Sequence, residues 1–283
     1  LEGDLHNGGT LSGATLVHVD AQGIAHTGRI TSQGSTVLQA RQDIDVEGGS
    51  VGARDALVIQ AGGDIRLTST VAGSFTTATT ATSTTTGQAG EGRATLERRG
   101  IDRQARLHVS AEAGVLVAQA GGDLTLLATE VRYEGSGATA LSAGRDLNLQ
   151  TLTTVQSDDL RWSGDHRERT ERRSEVGSSV QAAGDLTLQA GGQVAARAAT
   201  LQAGGDLGLQ AGQDIAIEAG QSGFGFDDHH RIKHRGNFSS KTVTEARSLQ
   251  QEEAIGSALG GRTVTLQARQ DIALRGSSAI GDE

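Results

Sequence analysis

Histidine and aspartate crowd together near residue 230, and both side chains can bind metal ions. The residues are Asp227, Asp228, His229, His230 and His234. On a helix, His230 and His234 would lie one turn apart, which suits two ligands of one zinc ion. The segment reads instead as strand or loop, and its spacing fixes no third ligand. A weak metal site and a solvated polar hairpin are the two interpretations, and we favour the hairpin.

Arginine-rich runs are a second source of chemistry, because guanidinium groups match the geometry of sulfate and carboxylate groups. Glutamate is interleaved with the arginines, so ion pairing across an exposed sheet is the favoured interpretation. Binding of a sulfated glycan, an acidic lipid headgroup or a receptor is the alternative. The candidate contact residues, including nearby aromatic ones, are Arg98, Arg99, Arg103, Arg106, Trp162, Arg167, Arg169, Arg172, Arg173, Phe224 and Phe226.

Aspartate recurs within the motif Ala-Gly-Gly-Asp-Leu-x-Leu and its variants. Stacked carboxylates suggest Ca²⁺, but Ca²⁺-binding repeats carry a Gly-Gly-x-Gly-x-Asp nonapeptide that this chain lacks. Aspartate is also a turn residue that bonds nearby backbone amides, so we expect each one to cap its own turn. These structural turn positions are Asp43, Asp64, Asp123, Asp146, Asp185, Asp206, Asp214 and Asp271.

The elements that carry these residues follow from the spacing of the motif. From Asp43 to Asp271, leaving out Asp214, successive aspartates are 21, 59, 23, 39, 21 and 65 residues apart. Apolar and polar residues alternate on both sides of the glycine pair, as in a half-buried strand. Short strands and tight corners that repeat with a period of about 21 residues predict an all-β parallel β-helix.

The long steps have two explanations, namely degenerate coils or insertions into single coils. We favour insertions at approximately 70–106, 151–176 and 221–256, because the motif disappears there while charge, threonine and aromatic residues appear. We expect extended β-hairpins whose strands pair into a flanking sheet. Thr76–Thr86 would be a polar strand tip, and Glu245–Ala254 is the one stretch for which a short helix is an alternative.

Composition excludes several classes of function. The 283 residues include 41 Gly and six aromatic residues but no Pro, Met or Cys, and the formal net charge is −9. Disulfides, cysteine metal sites and thiol catalysis are therefore excluded, and nucleic-acid binding is disfavoured. No apolar run reaches the roughly 18 residues of a membrane span. We expect no cofactor and no enzymatic activity, with a polysaccharide-active β-helix enzyme as a remote alternative.

Repeats such as AGDLTLQAG at 183–191, together with His6–Gly13 and the polar inserts, resemble the hemagglutinin repeats of filamentous hemagglutinin. That group comprises large exoproteins of bacterial two-partner secretion, including contact-dependent growth-inhibition proteins. The resemblance implies a right-handed parallel β-helix, export through an outer-membrane transporter, and a secreted or surface-exposed fibre that adheres to host or neighbouring cells. The Asn-Pro motifs of the secretion domain, a toxin module and an Arg-Gly-Asp triplet are not found. We therefore expect a central, monomeric shaft segment, with glycan or receptor binding through the insertions as the alternative.

Overall fold

Three short strands and three corners make up each coil of this protein. A computed structural model describes residues 2–83, 89–163 and 165–281, and every helix or strand assigned within those ranges is a β-strand. The alternation of apolar and polar residues explains this, because side chains in a strand point to opposite faces in turn. Inward positions take Leu, Ile, Val or Ala, and the corners take Gly, Asp, Arg and Gln.

The strands are numbered in chain order. The first three coils contain β1 (Leu5–Asn7), β2 (Thr10–Gly13), β3 (Leu16–Ala21), β4 (Ile24–His26), β5 (Arg29–Ser32), β6 (Ser35–Ala40), β7 (Ile44–Glu47), β8 (Ser50–Ala53) and β9 (Ala56–Ala61). Coils 4 to 6 contain β10 (Ile65–Thr68), β11 (Thr70–Ser83), β12 (Ala89–Arg103), β13 (Arg106–Val109), β14 (Val115–Ala120), β15 (Leu124–Leu127), β16 (Glu130–Tyr133), β17 (Thr139–Ala143), β18 (Leu147–Gln150), β19 (Leu152–Ser163), β20 (His166–Val176), β21 (Ser179–Ala182) and β22 (Leu186–Ala190). Coils 7 to 9 contain β23 (Val194–Arg197), β24 (Thr200–Ala203), β25 (Leu207–Ala211), β26 (Ile215–Glu218), β27 (Gly220–Arg235), β28 (Ser240–Ile255), β29 (Ala258–Gly261), β30 (Val264–Ala268), β31 (Ile272–Arg275) and β32 (Ser278–Gly281).

Equivalent strands of successive coils pair in parallel and form three long sheets. Sheet 1 has the order β1-β4-β7-β10-β15-β18-β23-β26-β31, and sheet 2 has the order β2-β5-β8-β13-β16-β21-β24-β29-β32. Sheet 3 has the order β3-β6-β9-β14-β17-β22-β25-β30. The protein is thus a parallel β-helix, as predicted. A fourth sheet, called the side sheet here, is antiparallel and has the order β11-β12-β19-β20-β27-β28.

A narrow aliphatic core runs along the axis of the coils. In sheet 1, for example, Ile44, Ile65 and Leu124 are in register on successive strands, and all three are fully buried. Tyr133 is the one aromatic residue buried among the described residues. Its hydroxyl donates to the carbonyl of Gly114 at 2.7 Å and accepts from the amide of Gly137 at 3.0 Å. Similar inward side chains on successive strands keep the core width constant from coil to coil.

The aspartate motif occupies two different corners, which corrects the single series expected from the sequence. Six of the aspartates lie between sheet 3 and sheet 1, whereas Asp185 and Asp206 lie between sheet 2 and sheet 3. The steps of 39 and 65 residues therefore connect aspartates that lie at different corners. Along one corner, Asp146 is followed by Gln193 after 47 residues, and Asp214 by Asp271 after 57. The sequence shows the two corners as one series because both carry the same Gly-Asp motif.

The long steps contain β-hairpins, so the explanation by degenerate coils is wrong. The hairpins are β11–β12, β19–β20 and β27–β28, and each leaves the coil at the corner between sheet 1 and sheet 2. The first hairpin ends at Arg103, so Arg106 is a residue of a coil strand instead of the insertion. The helix considered for Glu245–Ala254 is also wrong, because that stretch lies within β28 and pairs with β27. Thr84–Thr86 of the threonine run lie outside the described residues.

Within the described residues, hairpins leave on coils 4, 6 and 8 alone, and strand spacing explains this alternation. Neighbouring strands lie about 4.8 Å apart, both between coils and within a hairpin. A hairpin contributes two strands and therefore fills the height of two coils. The coils next to the hairpins, namely coils 3, 5, 7 and 9, turn the same corner through a residue with positive φ, which is Gly48, Ala128, Ala198 or Gly276 respectively.

Candidate functional site: the side sheet

The side sheet is formed by pairing between hairpins that are distant in sequence. Arg93–Arg99 of β12 pair with Val155–Arg161 of β19, and His166–Ser174 of β20 pair with Ser222–His230 of β27. Residues directly opposite each other on neighbouring strands point to the same face. The pairing register therefore assigns each candidate contact residue to one of two faces.

The first face, called the Phe224 face, combines aromatic and apolar side chains with arginine. One row across the sheet holds Arg98, Gln156, Arg172 and Phe224. The guanidinium of Arg172 lies 5.3 Å from the ring centre of Phe224, within the range of a cation–π contact. Arg98 pairs with Asp158 of the adjacent row. The guanidinium of Arg172 and the ring of Phe224 thus lie together on a largely exposed surface.

The next row of the Phe224 face is more apolar. It runs from Leu96 through Asp158 and Thr170 to Phe226 and Leu249. Leu249 is half exposed, and Phe226 is partly buried. Because no second layer of the described chain covers this row, its apolar side chains remain available to a partner.

The second face, called the Arg99 face, is dominated by charge. Its arginines include Arg99, Arg167, Arg169 and Arg173. Glu171 accepts from both Arg169, at 2.8 Å, and Arg173. Arg167 donates to Asp227 at 2.9 Å. Arg167 thus forms an ion pair across strands, as expected, whereas Arg169 and Arg173 pair within their own strand. Arg99 has no ion pair among the described residues.

Trp162 stands near the outer end of the side sheet beside two histidines. Its ring stacks on His230 with centroids 6.1 Å apart. His230 contacts His166 through their Nδ1 atoms at 2.9 Å, and its Nε2 lies 2.7 Å from Asp228 Oδ1. His234 lies four residues further along the same strand, a separation of about 13 Å. No group of three His, Cys, Asp or Glu side chains suited to a metal ion occurs in the described part of the chain.

Arg103 and Arg106 lie at the base of the first hairpin, away from the other candidates. The amide of Arg103 donates to Thr70 Oγ1 at 3.2 Å, which closes the hairpin. Arg106 forms an ion pair with Glu130 of the next coil at 2.9 Å. The structure thus separates these two arginines from the exposed rows of the side sheet.

The corner aspartates bond between coils, which differs from the own-turn caps expected from the sequence. Asp43 accepts the amide of Asp64 at 2.8 Å, and Asp64 accepts the amide of Asp123 at the same distance. A main-chain amide of the next coil likewise donates to each of four further carboxylates, namely those of Asp123, Asp146, Asp185 and Asp214. The amide of Asp64, and after it the guanidinium of Arg66, lower the pKa of Asp43. At Asp43 and Asp64, amides and arginines thus occupy the oxygens that a Ca²⁺ site would need.

Two polar features inside the coils carried no signal in the sequence. His26 is buried, and its Nδ1 lies 3.2 Å from both the side-chain nitrogen and the carbonyl oxygen of Asn7. Its Nε2 lies 3.1 Å from the carbonyl of Ser50, and burial lowers the pKa of His26. At the hairpin corner, buried hydroxyls bond main-chain groups of neighbouring coils; they belong to Ser69, Thr129, Ser178 and Ser257.

An ion-pair cluster at the base of the second and third hairpins was also not anticipated. Glu175 of β20 binds Arg197 of β23 at 2.8 Å and accepts the amide of Gln221 at 3.1 Å. Arg197 also lies 3.6 Å from Glu218. One glutamate thus links two hairpins to the coil between them. Only the folded register brings together these charges, which lie far apart in the sequence.

Comparison with known proteins gives one match. A family model described as Hemagglutinin repeat matches residues 6–72 and 161–283, together more than half of the chain. No curated protein and no solved structure matches the chain. Within the described residues, no helix has the length and apolar character needed to cross a membrane.

Proposed function

Because the chain belongs to the hemagglutinin repeat family, we propose that it is a shaft segment of a large secreted bacterial surface protein that attaches to host or neighbouring cells. On this proposal the protein is exported through an outer-membrane two-partner-secretion transporter and acts as a scaffold with no enzymatic activity. The coils form the shaft and the side sheet forms the contact surface.

One observation carries the proposal, namely the division of the chain into a rod and an open sheet. The coils share one continuous buried core, which gives a stack stabilised along its whole length. The side sheet is a single layer with large exposed side chains, such as Trp162 at 49% and Leu249 at 50% exposure. Exposed apolar groups of this kind are characteristic of interaction surfaces.

Adhesion of the isolated chain tests this proposal. Beads coated with the 283-residue chain should bind cells of the host or of neighbouring bacteria, and antibodies against the chain should label intact producing bacteria. As a matched pair, Trp162→Ser should weaken bead adhesion, whereas Leu16→Ser, an exposed apolar residue of the coil, should not. Beads that bind no cell type, or labelling that requires permeabilised bacteria, would refute the proposal.

Binding of an anionic glycan by the side sheet is a second candidate function. Its support is the shallow depression on the Phe224 face that Arg98 and Arg172 line together with Gln156. Guanidinium groups suit sulfate and carboxylate groups, and the ring of Phe224 adds an apolar surface beside Arg172. Arg98→Glu with Arg172→Glu should abolish retention on heparin, while Arg54→Glu, on an exposed coil corner, should leave it unchanged. Equal retention of both variants would reject this function.

A further inference from the structure

The two edge strands of the side sheet differ in charge. The last strand, β28, carries five charged residues, namely Lys241, Glu245, Arg247, Glu252 and Glu253. Such charges on an edge prevent other strands from pairing with it. The first strand, β11, runs from Thr70 to Ser83 without a charged residue or a proline. It therefore lacks these protections of an exposed edge.

The outer edge of β11 has no strand beside it in the described part of the chain. Its one neighbour in the sheet is β12. Coils 1 to 3 turn the hairpin corner in two residues each, at Gly8-Gly9, Thr27-Gly28 and Gly48-Gly49. A hairpin from a coil before Leu5 would end three strand spacings, about 14 Å, from β11. Neighbouring coils therefore cannot satisfy this row of backbone amides and carbonyls.

The edge strand β11 also bears an exposed aromatic side chain. Phe75 of β11 is 69% exposed, and its cross-strand neighbour on β12 is Glu97. A strand added at the outer edge of β11 would cover the ring of Phe75 from the other side. Unpaired backbone groups and an exposed apolar side chain thus coincide at the edge of β11.

We propose that β11 pairs with β11 of a second copy of this chain, in antiparallel orientation, so that the two side sheets join into one. A twofold axis perpendicular to the sheet relates the copies and makes the interface isologous. An uncharged, threonine-rich edge suits this pairing, because no like charges oppose each other and threonine pairs are favourable across strands. Equivalent faces of the two side sheets must lie on the same side of the joined sheet. Odd-numbered residues of β11 therefore pair with odd-numbered residues of β11 in the second copy. The sequence alone favoured a monomeric fibre segment, whereas this edge favours a pair.

Sedimentation equilibrium of the full 283-residue chain tests the proposal. The wild type should show a reversible monomer–dimer equilibrium. Thr77→Lys places two lysines on one face near the twofold axis and should raise the dissociation constant by at least about tenfold, since like charges opposed across strands repel. Thr244→Lys makes the same exchange on the charged edge β28 and should leave the constant unchanged. A wild type that stays monomeric, or equal effects of the two variants, would overturn the proposal.

Spin labels distinguish self-pairing from an association between β11 and β28. The chain contains no cysteine, so Thr76→Cys and Ser248→Cys each supply a single labelling site. Self-pairing predicts a short distance between two labels at position 76 and a long one between two at position 248. A short distance that appears only between a label at 76 and a label at 248 would show head-to-tail association and contradict the twofold pair.

Discussion

The carboxylate of Asp64 accepts the main-chain amide of Asp123 at 2.8 Å, although 59 residues separate them in the sequence. The bond spans one coil height, because the first hairpin leaves the stack and returns to it. Asp64 also binds Arg66 at 2.6 Å and Arg145 at 3.0 Å. The repeated motif therefore holds adjacent coils together, and an insertion into a coil leaves this contact intact.

Replacement of Asp64 tests this role. Asp64→Ala removes the acceptor for the amide of Asp123, so the free energy of unfolding should fall by about 1–3 kcal/mol. Asp64→Asn keeps an oxygen acceptor and should lose less. Urea unfolding followed by circular dichroism measures both. If the alanine and asparagine variants were as stable as the wild type, the carboxylate would have no structural role.

Mild acid should destabilise the coils through His26. Its folded-state pKa lies below the ordinary 6.5, so the unfolded chain takes up the proton first as the pH falls. The contribution of His26 to stability is therefore complete above pH 6.5 and is lost below it, down to the folded-state pKa. His26→Val introduces the residue found in register on the next coil, Val46.

Unfolding free energies at pH values above and below 6.5 measure this effect. The difference between the two should be smaller in His26→Val than in the wild type, whatever the absolute stability of the variant. His6→Val, at an exposed strand position, provides the control. An unchanged pH dependence in His26→Val would contradict the lowered pKa of the buried His26.

Gly48 should be the least replaceable glycine at the base of the first hairpin. Its φ is +58°, and an added Cβ would lie 2.8 Å from the Cβ of Arg103. Gly48→Ala should cost about 1–3 kcal/mol of unfolding free energy, from strain in the left-handed region together with the contact. Gly100→Ala, within β12, meets no atom within 4 Å and should have little effect. Equal stability of the two variants would contradict this account of the corner.

The cluster around Glu175 should couple the second and third hairpins to the coil. In a double-mutant cycle, Glu175→Ala and Arg197→Ala should show a coupling of about 0.5–1 kcal/mol, as expected for a partly exposed pair. Arg275→Ala with Glu175→Ala provides a control pair, because Arg275 contacts Glu218 instead. Additive effects of Glu175→Ala and Arg197→Ala would mean that the ion pair contributes nothing.

The sequence predicts the coil and the hairpins because both have local signals. Alternating apolar residues around Ala-Gly-Gly-Asp specify a strand, a corner and a strand, and the loss of that pattern marks each hairpin. The prediction fails where the same motif occurs at two different corners of the coil. Asp185 and Asp206 lie at the corner between sheet 2 and sheet 3, but their local sequence resembles that of the other aspartates. The contacts of Arg172 with Phe224, or of Glu175 with Arg197, depend on register between distant hairpins. No local pattern specifies that register.

Continuity of the side sheet is the central claim, and a disulfide between two hairpins tests it most directly. Glu97 of β12 and Ser157 of β19 are direct cross-strand partners, and opposite residues in an antiparallel pair lie within disulfide range. Glu97→Cys with Ser157→Cys should form an intramolecular disulfide on mild oxidation, whereas Glu97→Cys with Asp158→Cys, whose side chains point to opposite faces, should not. Failure of the first pair to cross-link, or equal cross-linking of both, would show that the hairpins do not form one sheet.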